Sequence, residues 1–330
     1  MDLDAPALET LVNFRNKLKC YHPQSHPRRA NLKLKVFAIV LGIAASLSAQ
    51  SEKHIFPTVE GAKQLASPPA NPTIIYHGGP VLGTVSGQPV NLYLIFYGGW
   101  STLDPTGPKL MGEFASTLGG SGYWNILTTY KESNGTDIFN NLKLAGHTSD
   151  NYSQGKSLND NTLQTVVQTA ISNGSLPLDA NGIYHVLTSS DVTETSGFCS
   201  AYCGFHNYMT YQNTVIKYTF IGNPAGCTQY GGVADCQGLS TNITASPNND
   251  PGVDAMISVI AHESEEATSD PQLNAWFFNS GNENADQCAY TYGKTKILAN
   301  GSAANIKLGN KAYLIQQDYV APNLGCAMSH

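Results

Sequence analysis

The residues best placed to do chemistry are His262, Glu263 and Glu266, which lie close together in the sequence. On a helix, residues four positions apart share a face, so His262 and Glu266 can bind one metal ion. A carboxylate beside such a pair can act as general base on a metal-bound water. The sequence therefore predicts a metal site at His262 and Glu266, with Glu263 as the hypothetical general base.

The pattern His262-Glu263-x-x-Glu266 is similar to a zincin helix in which glutamate replaces the second histidine. A third ligand is expected from the segment 283–288, with Asp286 as first choice. The zincin-like spacing suits Zn, whereas carboxylate ligands harden the site and shift its preference toward Ca, Mg or Mn, so the candidate cation is Zn, Ca or Mn. They also weaken its Lewis acidity, so a purely structural role for His262 stays open. Reserve ligands are Glu283, His206 and His77.

The surrounding sequence is acidic and has no counter-charge. Between Lys217 and Lys294 there are nine carboxylates and no Lys or Arg. Carboxylates crowded without basic partners repel one another, so they either stay solvated or share a bound cation. The nine are Asp235, Asp250, Asp254, Glu263, Glu265, Glu266, Asp270, Glu283 and Asp286.

Residues 1–48 are predicted to be a leader with an export signal. They contain all three arginines, and their apolar run 36–47 is short for a membrane span but suits a signal-peptide core. Three interpretations stay open: an ordinary secretory signal behind a misplaced start codon, a twin-arginine signal at Arg28-Arg29, and an uncleaved anchor. Without these residues the chain has 11 Lys and 21 Asp and Glu.

This acidic remainder argues against several classes of partner. A net negative surface is repelled by nucleic acid and by anionic membranes. Without arginine it has no bidentate clamp for phosphate, so nucleotide binding is not expected. The predicted location is secreted, with no membrane association after signal cleavage. The oligomeric state is open.

The cysteines fit an oxidising compartment. Six follow residue 48, and an even number behind an export signal favours three disulfides over zinc ligation. Pairing of neighbours predicts Cys199–Cys203, Cys227–Cys236 and Cys288–Cys326. Five candidate N-glycosylation sites occur at Asn134, Asn151, Asn173, Asn242 and Asn300.

The hydrophobic patterns predict one α+β domain over 74–330, with a mixed or antiparallel sheet and packed helices. The preceding segment, 49–73, is predicted to be a flexible arm. Strands are predicted at 90–97, 183–189, 215–221 and 311–318. Helices are predicted after Pro108, at 159–172, and from Pro251 with Asp250 as N-cap.

Several segments together resemble the phosphate-induced protein 1 / EXORDIUM family, over about residues 72–320. The resemblance implies a protein of the extracellular space or plant cell wall (the apoplast), linked to growth and cell expansion, and it supplies no catalytic residues. The leader and residues 316–326 depart from the pattern, which puts a plant growth role in doubt. The resembling segments include Tyr76-His77-Gly78-Gly79-Pro80, Ile95-Phe96-Tyr97-Gly98-Gly99-Trp100, Cys203-Gly204-Phe205-His206 and Ile260-Ala261-His262-Glu263.

Two functional hypotheses follow. One is a non-enzymatic extracellular factor that contacts extracellular or cell-wall components. The other is a metal-dependent hydrolase, a peptidase in the first instance, that uses His262, Glu263 and Glu266. A third, weaker idea is a carbohydrate-binding surface built from Trp100, Trp124 and Trp276, although such residues usually pack in a core.

Overall fold

The computed structural model describes residues 53–62, 72–237 and 245–330. The predicted leader and the glycosylation site at Asn242 therefore lie outside the described residues.

The elements within the described ranges are mostly short, apart from the core strands and three helices. The strands are β1 (His54–Pro57), β2 (Ile75–Tyr76), β3 (Val90–Tyr97), β4 (Leu142–Asp150), β5 (Ser157–Leu158), β6 (Gly182–Thr188), β7 (Thr193–Glu194), β8 (Tyr202–Tyr211), β9 (Thr214–Ile221), β10 (Trp276–Phe277), β11 (Lys296–Ile297), β12 (Ala303–Ala304), β13 (Ile306–Leu308), β14 (Lys311–Tyr313), β15 (Asp318–Val320) and β16 (Gly325–Ala327). The α-helices are α1 (Val59–Ala62), α2 (Trp100–Leu103), α3 (Gly107–Leu118), α4 (Asp160–Ser172), α5 (Val233–Gln237) and α6 (Pro251–Ser269). Short 3₁₀ helices span Trp124–Thr129, Pro224–Gly226 and Asp286–Cys288.

The central feature is a six-stranded mixed sheet with the strand order β1-β8-β9-β6-β3-β4. The strands β4, β3, β6 and β9 run parallel, whereas β8 is antiparallel to β9 and β1 is antiparallel to β8. A tight turn joins β8 to β9 at Gln212 and Asn213, both with positive φ, as two-residue hairpins require. The predicted α+β class with a mixed sheet is confirmed.

The sheet is covered on both faces, and the alternation of side chains along its strands shows how. In β3, Leu92, Leu94 and Phe96 join the core cluster that contains α3 and α6. The residues between them, such as Tyr93 and Ile95, join the cluster that contains α4. This period of two is the expected property of a strand that is buried on both faces. The predicted strands at β3, β6 and β9, and the helices α3, α4 and α6, are confirmed.

The helix α6 is buried on all sides from Gly252 to Ser269. Asp250 caps its first turn by accepting a hydrogen bond from the backbone N–H of Val253 at 3.2 Å, and Pro251 is its first residue, both as predicted. On the sheet side the helix lies very close to β8. A Cβ added to Gly204 would lie 2.5 Å from Val259 Cγ1 and 3.1 Å from Glu263 Oε1, so only glycine permits this approach.

Two predicted segments differ from the structure. Part of the predicted flexible arm forms β1 and α1, because Ile55 and Phe56 pair with β8 and the Phe56 ring is buried in the core. The apolar run is too short to identify a strand from sequence. The predicted strand 311–318 is divided into β14 and the start of β15, which pair with different partners. Two of the tryptophans considered for carbohydrate binding, Trp100 and Trp124, are buried in the core.

Three disulfides are present, and the pairing is Cys199–Cys227, Cys203–Cys236 and Cys288–Cys326. The prediction for Cys288–Cys326 is confirmed, whereas the other two predicted pairs are wrong. Because β8 and β9 are antiparallel, the residues before β8 lie beside those after β9, which brings Cys199 to Cys227. Cys203 instead faces the α6 side of the sheet, where Cys236 lies.

In the part of the chain that the structure describes, no helix combines the length and apolarity needed to cross a membrane.

Candidate metal centre

Two histidines on neighbouring strands form the sheet side of the site. His54 on β1 and His206 on β8 are register partners in the antiparallel pair, so both side chains project from the same face. Their ring centroids are 5.6 Å apart. This face of the sheet is the one against which α6 packs.

Glu266 of α6 lies opposite these two histidines. Its Oε2 is 3.3 Å from His54 Nδ1 and 3.4 Å from His206 Nδ1. Its Oε1 is 3.0 Å from Nε2 of His262, one helical turn earlier, and accepts a hydrogen bond from the backbone N–H of Asp286 at 3.1 Å. Glu266 is therefore the central residue of the cluster.

The loop after β10 supplies two more carboxylates. Glu283 Oε2 is 3.6 Å from His206 Nε2, and Glu283 Oε1 is 3.8 Å from His54 Nδ1. Asp286 Oδ2 is 3.3 Å from His54 Nε2. The disulfide at Cys288 fixes the end of this loop, because the 3₁₀ helix Asp286–Cys288 ends at that cysteine.

Donor atoms of His54, His206, Glu266 and Glu283 all lie within 4.8 Å of one another, as do those of His262, Glu266 and Asp286. Two imidazoles and two carboxylates form a suitable ligand set for a divalent cation such as Zn or Mn. His54 is also oriented for this role. Its Nε2 lies 3.1 Å from the carbonyl oxygen of Gly281, which favours a proton on Nε2 and makes Nδ1, beside Glu266 Oε2, the nitrogen that would bind a cation.

Seven buried polar atoms of this cluster have no hydrogen-bond partner. A buried polar atom with no compensating interaction destabilises a protein by about 1–3 kcal/mol, and six of these seven have only histidine–carboxylate contacts of 3.0–3.6 Å in place of a hydrogen bond. A bound ligand would satisfy them. The atoms are His206 Nδ1 and Nε2, His262 Nε2, Glu263 Oε1 and Oε2, Glu283 Oε2 and Asp286 Oδ1.

The electrostatics of the cluster follow from burial and from mutual repulsion. Burial, followed by the charge of Glu266, raises the pKa of Glu263 and of Glu283 well above the usual range. The same two causes raise the pKa of Asp286 to about 6. Burial lowers the pKa of His54, but the Asp286 and Glu266 carboxylates outweigh it and raise the value to about 10. Glu263, Glu283 and Asp286 therefore hold their protons more tightly than usual, and a bound cation would take the place of those protons.

The predicted ligands His262, Glu266 and Asp286 lie together, and so do the reserves Glu283 and His206. The base candidate Glu263 lies beside them, with Oε2 3.4 Å from His206 Nδ1. His77 is not part of the cluster: it is exposed and stacks on Phe277 at a ring distance of 3.5 Å. His54 is not among the ligands predicted from the sequence, because it lies in the segment predicted to be a flexible arm.

A surface cleft of about 360 Å³ reaches the cluster from outside. His54 and Asp286 line it together with Pro57, Ala201 and Asn282. The cluster is therefore accessible on one side. A larger groove of about 530 Å³ between α3 and β4 is lined by none of the cluster residues.

The fold and the site define a disulfide-bonded α+β protein with a buried cluster of histidines and carboxylates under a mixed sheet. Residues 74–312 match the phosphate-induced protein 1 conserved region. The chain belongs to this family, as the sequence resemblance predicts.

Curated relatives from plants support the assignment. The chain is 33% identical to Arabidopsis thaliana EXORDIUM-like 3 over 273 residues, which cover 73% of this chain and 78% of that protein. It is 34% identical to A. thaliana EXORDIUM-like 5 over 241 residues, which cover 66% of this chain but only 64% of the relative. It is 28% identical to Nicotiana tabacum PHOSPHATE-INDUCED 1 over 256 residues, which cover 70% of this chain and 76% of the relative. No solved structure is significantly similar to the chain.

Proposed function

We propose that this chain is an extracellular protein whose function depends on a divalent cation bound by His54, His206, Glu266 and Glu283. The observation that carries the proposal is the convergence of these four side chains, whose donor atoms lie within 4.8 Å of one another. Both ring nitrogens of His206 are buried without a hydrogen-bond partner, although the ring is surrounded by carboxylates.

Charge supports the same conclusion. Four carboxylates of the cluster (those of Glu263, Glu266, Glu283 and Asp286) lie in a stretch of sequence that has no Lys or Arg. Burial of like charges is strongly unfavourable unless an opposite charge compensates it. Two imidazole donors favour Zn or Mn over Ca, which prefers a shell of oxygen ligands.

The three disulfides and the family membership favour an extracellular protein. The finer proposal is secretion to the extracellular space or cell wall, where the protein contacts wall components. A link to growth and cell expansion is part of this proposal and rests on the family resemblance alone.

Metal analysis of the purified protein tests the cation site. The protein is stripped with a chelator, titrated with Zn²⁺ or Mn²⁺, and compared with Glu283→Gln and with the exposed-site control His77→Gln. We expect tight binding by wild type and by His77→Gln, and a loss of affinity in Glu283→Gln, which preserves side-chain shape. No retained cation, together with an unchanged Tm after chelation, would contradict the proposal and would leave bound water as the partner of these atoms.

Hydrolysis is the second candidate function, and Glu263 favours it. Its two carboxylate oxygens are buried without a hydrogen-bond partner beside the candidate ligands, and burial raises its pKa well above the usual range. Such a group can accept a proton from a water activated by the cation. The test is a screen of peptide and ester substrates with the metal-loaded protein. Turnover that is lost in Glu263→Gln while metal binding is retained supports a hydrolase, and the absence of turnover in wild type rejects it.

A further inference from the structure

The two oxygens of Glu266 face different groups of ligands. Oε2 lies towards His54 and His206, at 3.3 Å and 3.4 Å from their Nδ1 atoms. Oε1 lies 3.0 Å from His262 Nε2. Asp286 completes the second group, because its Oδ1 is 3.5 Å from the same His262 nitrogen.

Unpartnered atoms in this second group are not explained by the cation already proposed. His262 Nε2 and Asp286 Oδ1 are both buried and lack a hydrogen-bond partner. The His262 ring is fully buried, and the Asp286 side chain is 8% exposed. Neither residue belongs to the four-ligand group of His54, His206, Glu266 and Glu283. Their nearest charged neighbours, at 3.0–3.5 Å, do not meet hydrogen-bond geometry, and a ligand bound between them would satisfy both.

We infer that the cluster holds a second divalent cation, bound by His262 and Asp286 and bridged to the first cation through the carboxylate of Glu266. This inference rests on the proposed cation site and extends it to a dinuclear centre. Carboxylate-bridged pairs of this kind hold their two ions about 3.5–4 Å apart. The mixed nitrogen and oxygen donors suit two Zn²⁺ or two Mn²⁺ ions.

The charge of the cluster is consistent with two ions. With the histidine rings neutral, one divalent cation would leave two of the four buried carboxylates uncompensated, whereas two cations balance all four. Protons can compensate in place of the second cation, so the metal and protons compete for this group, and acid will displace the second cation.

Gln316 contacts the ring of His262 and influences which ring nitrogen carries the proton. Its amide nitrogen lies 2.5 Å from His262 Nδ1 and donates to the carbonyl oxygen of Ala285 at 3.0 Å, while its Oε1 is buried without a partner. Coordination through Nε2 places the proton of His262 on Nδ1. In the observed orientation the amide donates to Nδ1, which places the proton on Nε2. Binding of the ion would require the amide to turn over, so that Oε1 accepts from Nδ1 at the loss of the bond to Ala285.

The experiment uses the full-length protein, stripped of metal and loaded with Mn²⁺, whose electron paramagnetic resonance distinguishes isolated from exchange-coupled ions. We expect about two Mn²⁺ per chain and a coupled spectrum, because a carboxylate bridge brings the ions close. His262→Gln and Asp286→Asn should each reduce the stoichiometry to about one and leave an uncoupled spectrum. Asp286→Asn is the safer variant, since Asp286 lines the cleft and His262 packs against Phe56 in the core.

The outcomes separate this inference from the proposed function. One Mn²⁺ per chain in wild type, or two that are uncoupled, overturns the dinuclear centre and leaves the single site standing. No bound Mn²⁺ overturns both. A coupled pair that persists in folded Asp286→Asn and folded His262→Gln also overturns the assignment of these two ligands. Melting curves and circular dichroism establish that each variant is folded.

Discussion

His54 Nδ1 lies 3.3 Å from Glu266 Oε2, although 212 residues separate the two in sequence. The contact forms because β1 adds to the edge of the sheet beside β8, directly over the last turns of α6. The candidate site is therefore completed by a short segment near the beginning of the described chain. Its geometry depends on the pairing of β1 with β8.

The first prediction concerns this contact. His54→Gln should lower the affinity for Zn²⁺ or Mn²⁺ by at least about 10–100-fold, the effect commonly seen even for residues that only support a ligand. Titration of the stripped protein measures this change. His77→Gln is the matched control, because His77 is exposed and lies outside the cluster. Equal affinities in both variants would show that His54 is not a ligand.

The second prediction compares two disulfides. Removing Cys288–Cys326 by paired Ser substitution should lower stability by about 2–5 kcal/mol and also weaken cation binding, because Cys288 anchors the loop with Glu283 and Asp286. Removing Cys199–Cys227 should lower stability by a similar amount, since the sequence separations are 38 and 28 residues. It should leave cation affinity unchanged, because Cys227 packs in the cluster on the α4 side of the sheet. Equal losses of cation affinity in the two variants would indicate that loss of either disulfide loosens the whole fold.

The third prediction concerns metal removal. A cation at 100 times its Kd stabilises the fold by about 2.7 kcal/mol, so a chelator should lower the Tm by roughly 5–10 °C near pH 7.5. The difference should shrink towards pH 5, because burial and the charge of Glu266 raise the pKa of Glu283 and of Asp286, so protons then compete with the cation for these two carboxylates. Calorimetry with and without chelator across this range measures both effects. A Tm difference that does not vary with pH would argue that the cation is bound elsewhere.

The sequence predicts the helix of the site well and its surroundings less well. The N-cap at Asp250, the helical spacing of α6 and the approach of Asp286 to His262 all follow from local patterns or from the charge of one segment. The lack of Lys and Arg over 218–293 indicates carboxylates that are either solvated or share a cation. These are properties of neighbouring residues or of net charge, which a single sequence displays.

Long-range pairing is what the sequence does not display. Nothing in the four residues His54–Pro57 indicates that they form an edge strand against β8, because the run is too short to show alternation. The disulfide pairing fails for the same reason: it depends on which strand ends lie side by side. Cys199 and Cys227 meet because β9 runs back antiparallel along β8, so that the residues before β8 lie beside those after β9.

The fourth prediction concerns a buried histidine outside the ligand set. His185 on β6 contacts Thr219 Oγ1 at 2.7 Å and Ser264 Oγ at 3.1 Å, and burial lowers its pKa to about 3. The pKa of His185 is lower in the folded chain than in the unfolded chain. Its contribution to the free energy of unfolding is therefore fully present above about pH 6.5 and is lost as the pH falls towards 3. At pH 5 the loss should reach about 2 kcal/mol.

His185→Asn should remove this acid-dependent loss, although it lowers stability at neutral pH by opening space in the core. Denaturant unfolding at pH 7 and pH 5 gives the comparison. The control is His147→Asn. His147 is exposed on β4, so its replacement should leave the loss of stability between pH 7 and pH 5 as it is in wild type. If His185→Asn loses as much stability between pH 7 and pH 5 as wild type does, a group other than His185 is responsible for the loss.

The fifth prediction concerns the N-cap of α6. Burial raises the pKa of Asp250 to about 7, and the neighbouring Asp104 contributes to the rise. The unfolded carboxyl titrates near 4, so the native protein must release this proton at a higher pH and loses stability as the pH rises from about 4 to 7. Asn caps a helix about as well as Asp and carries no charge. Asp250→Asn should therefore match wild type near pH 4 and exceed its stability at pH 8.

The expected gain at pH 8 is on the order of 1 kcal/mol, because Asp250 is partly exposed and solvent screens its charge. Asp104→Asn should give a smaller gain, since it removes the Asp104 contribution but leaves Asp250 buried. The double variant should gain less than the two single variants together, because both relieve the same repulsion. Urea unfolding at the two pH values measures all three. A gain of equal size at pH 4 and pH 8 would assign the effect to helix capping, and fully additive gains would show that the two carboxylates do not interact.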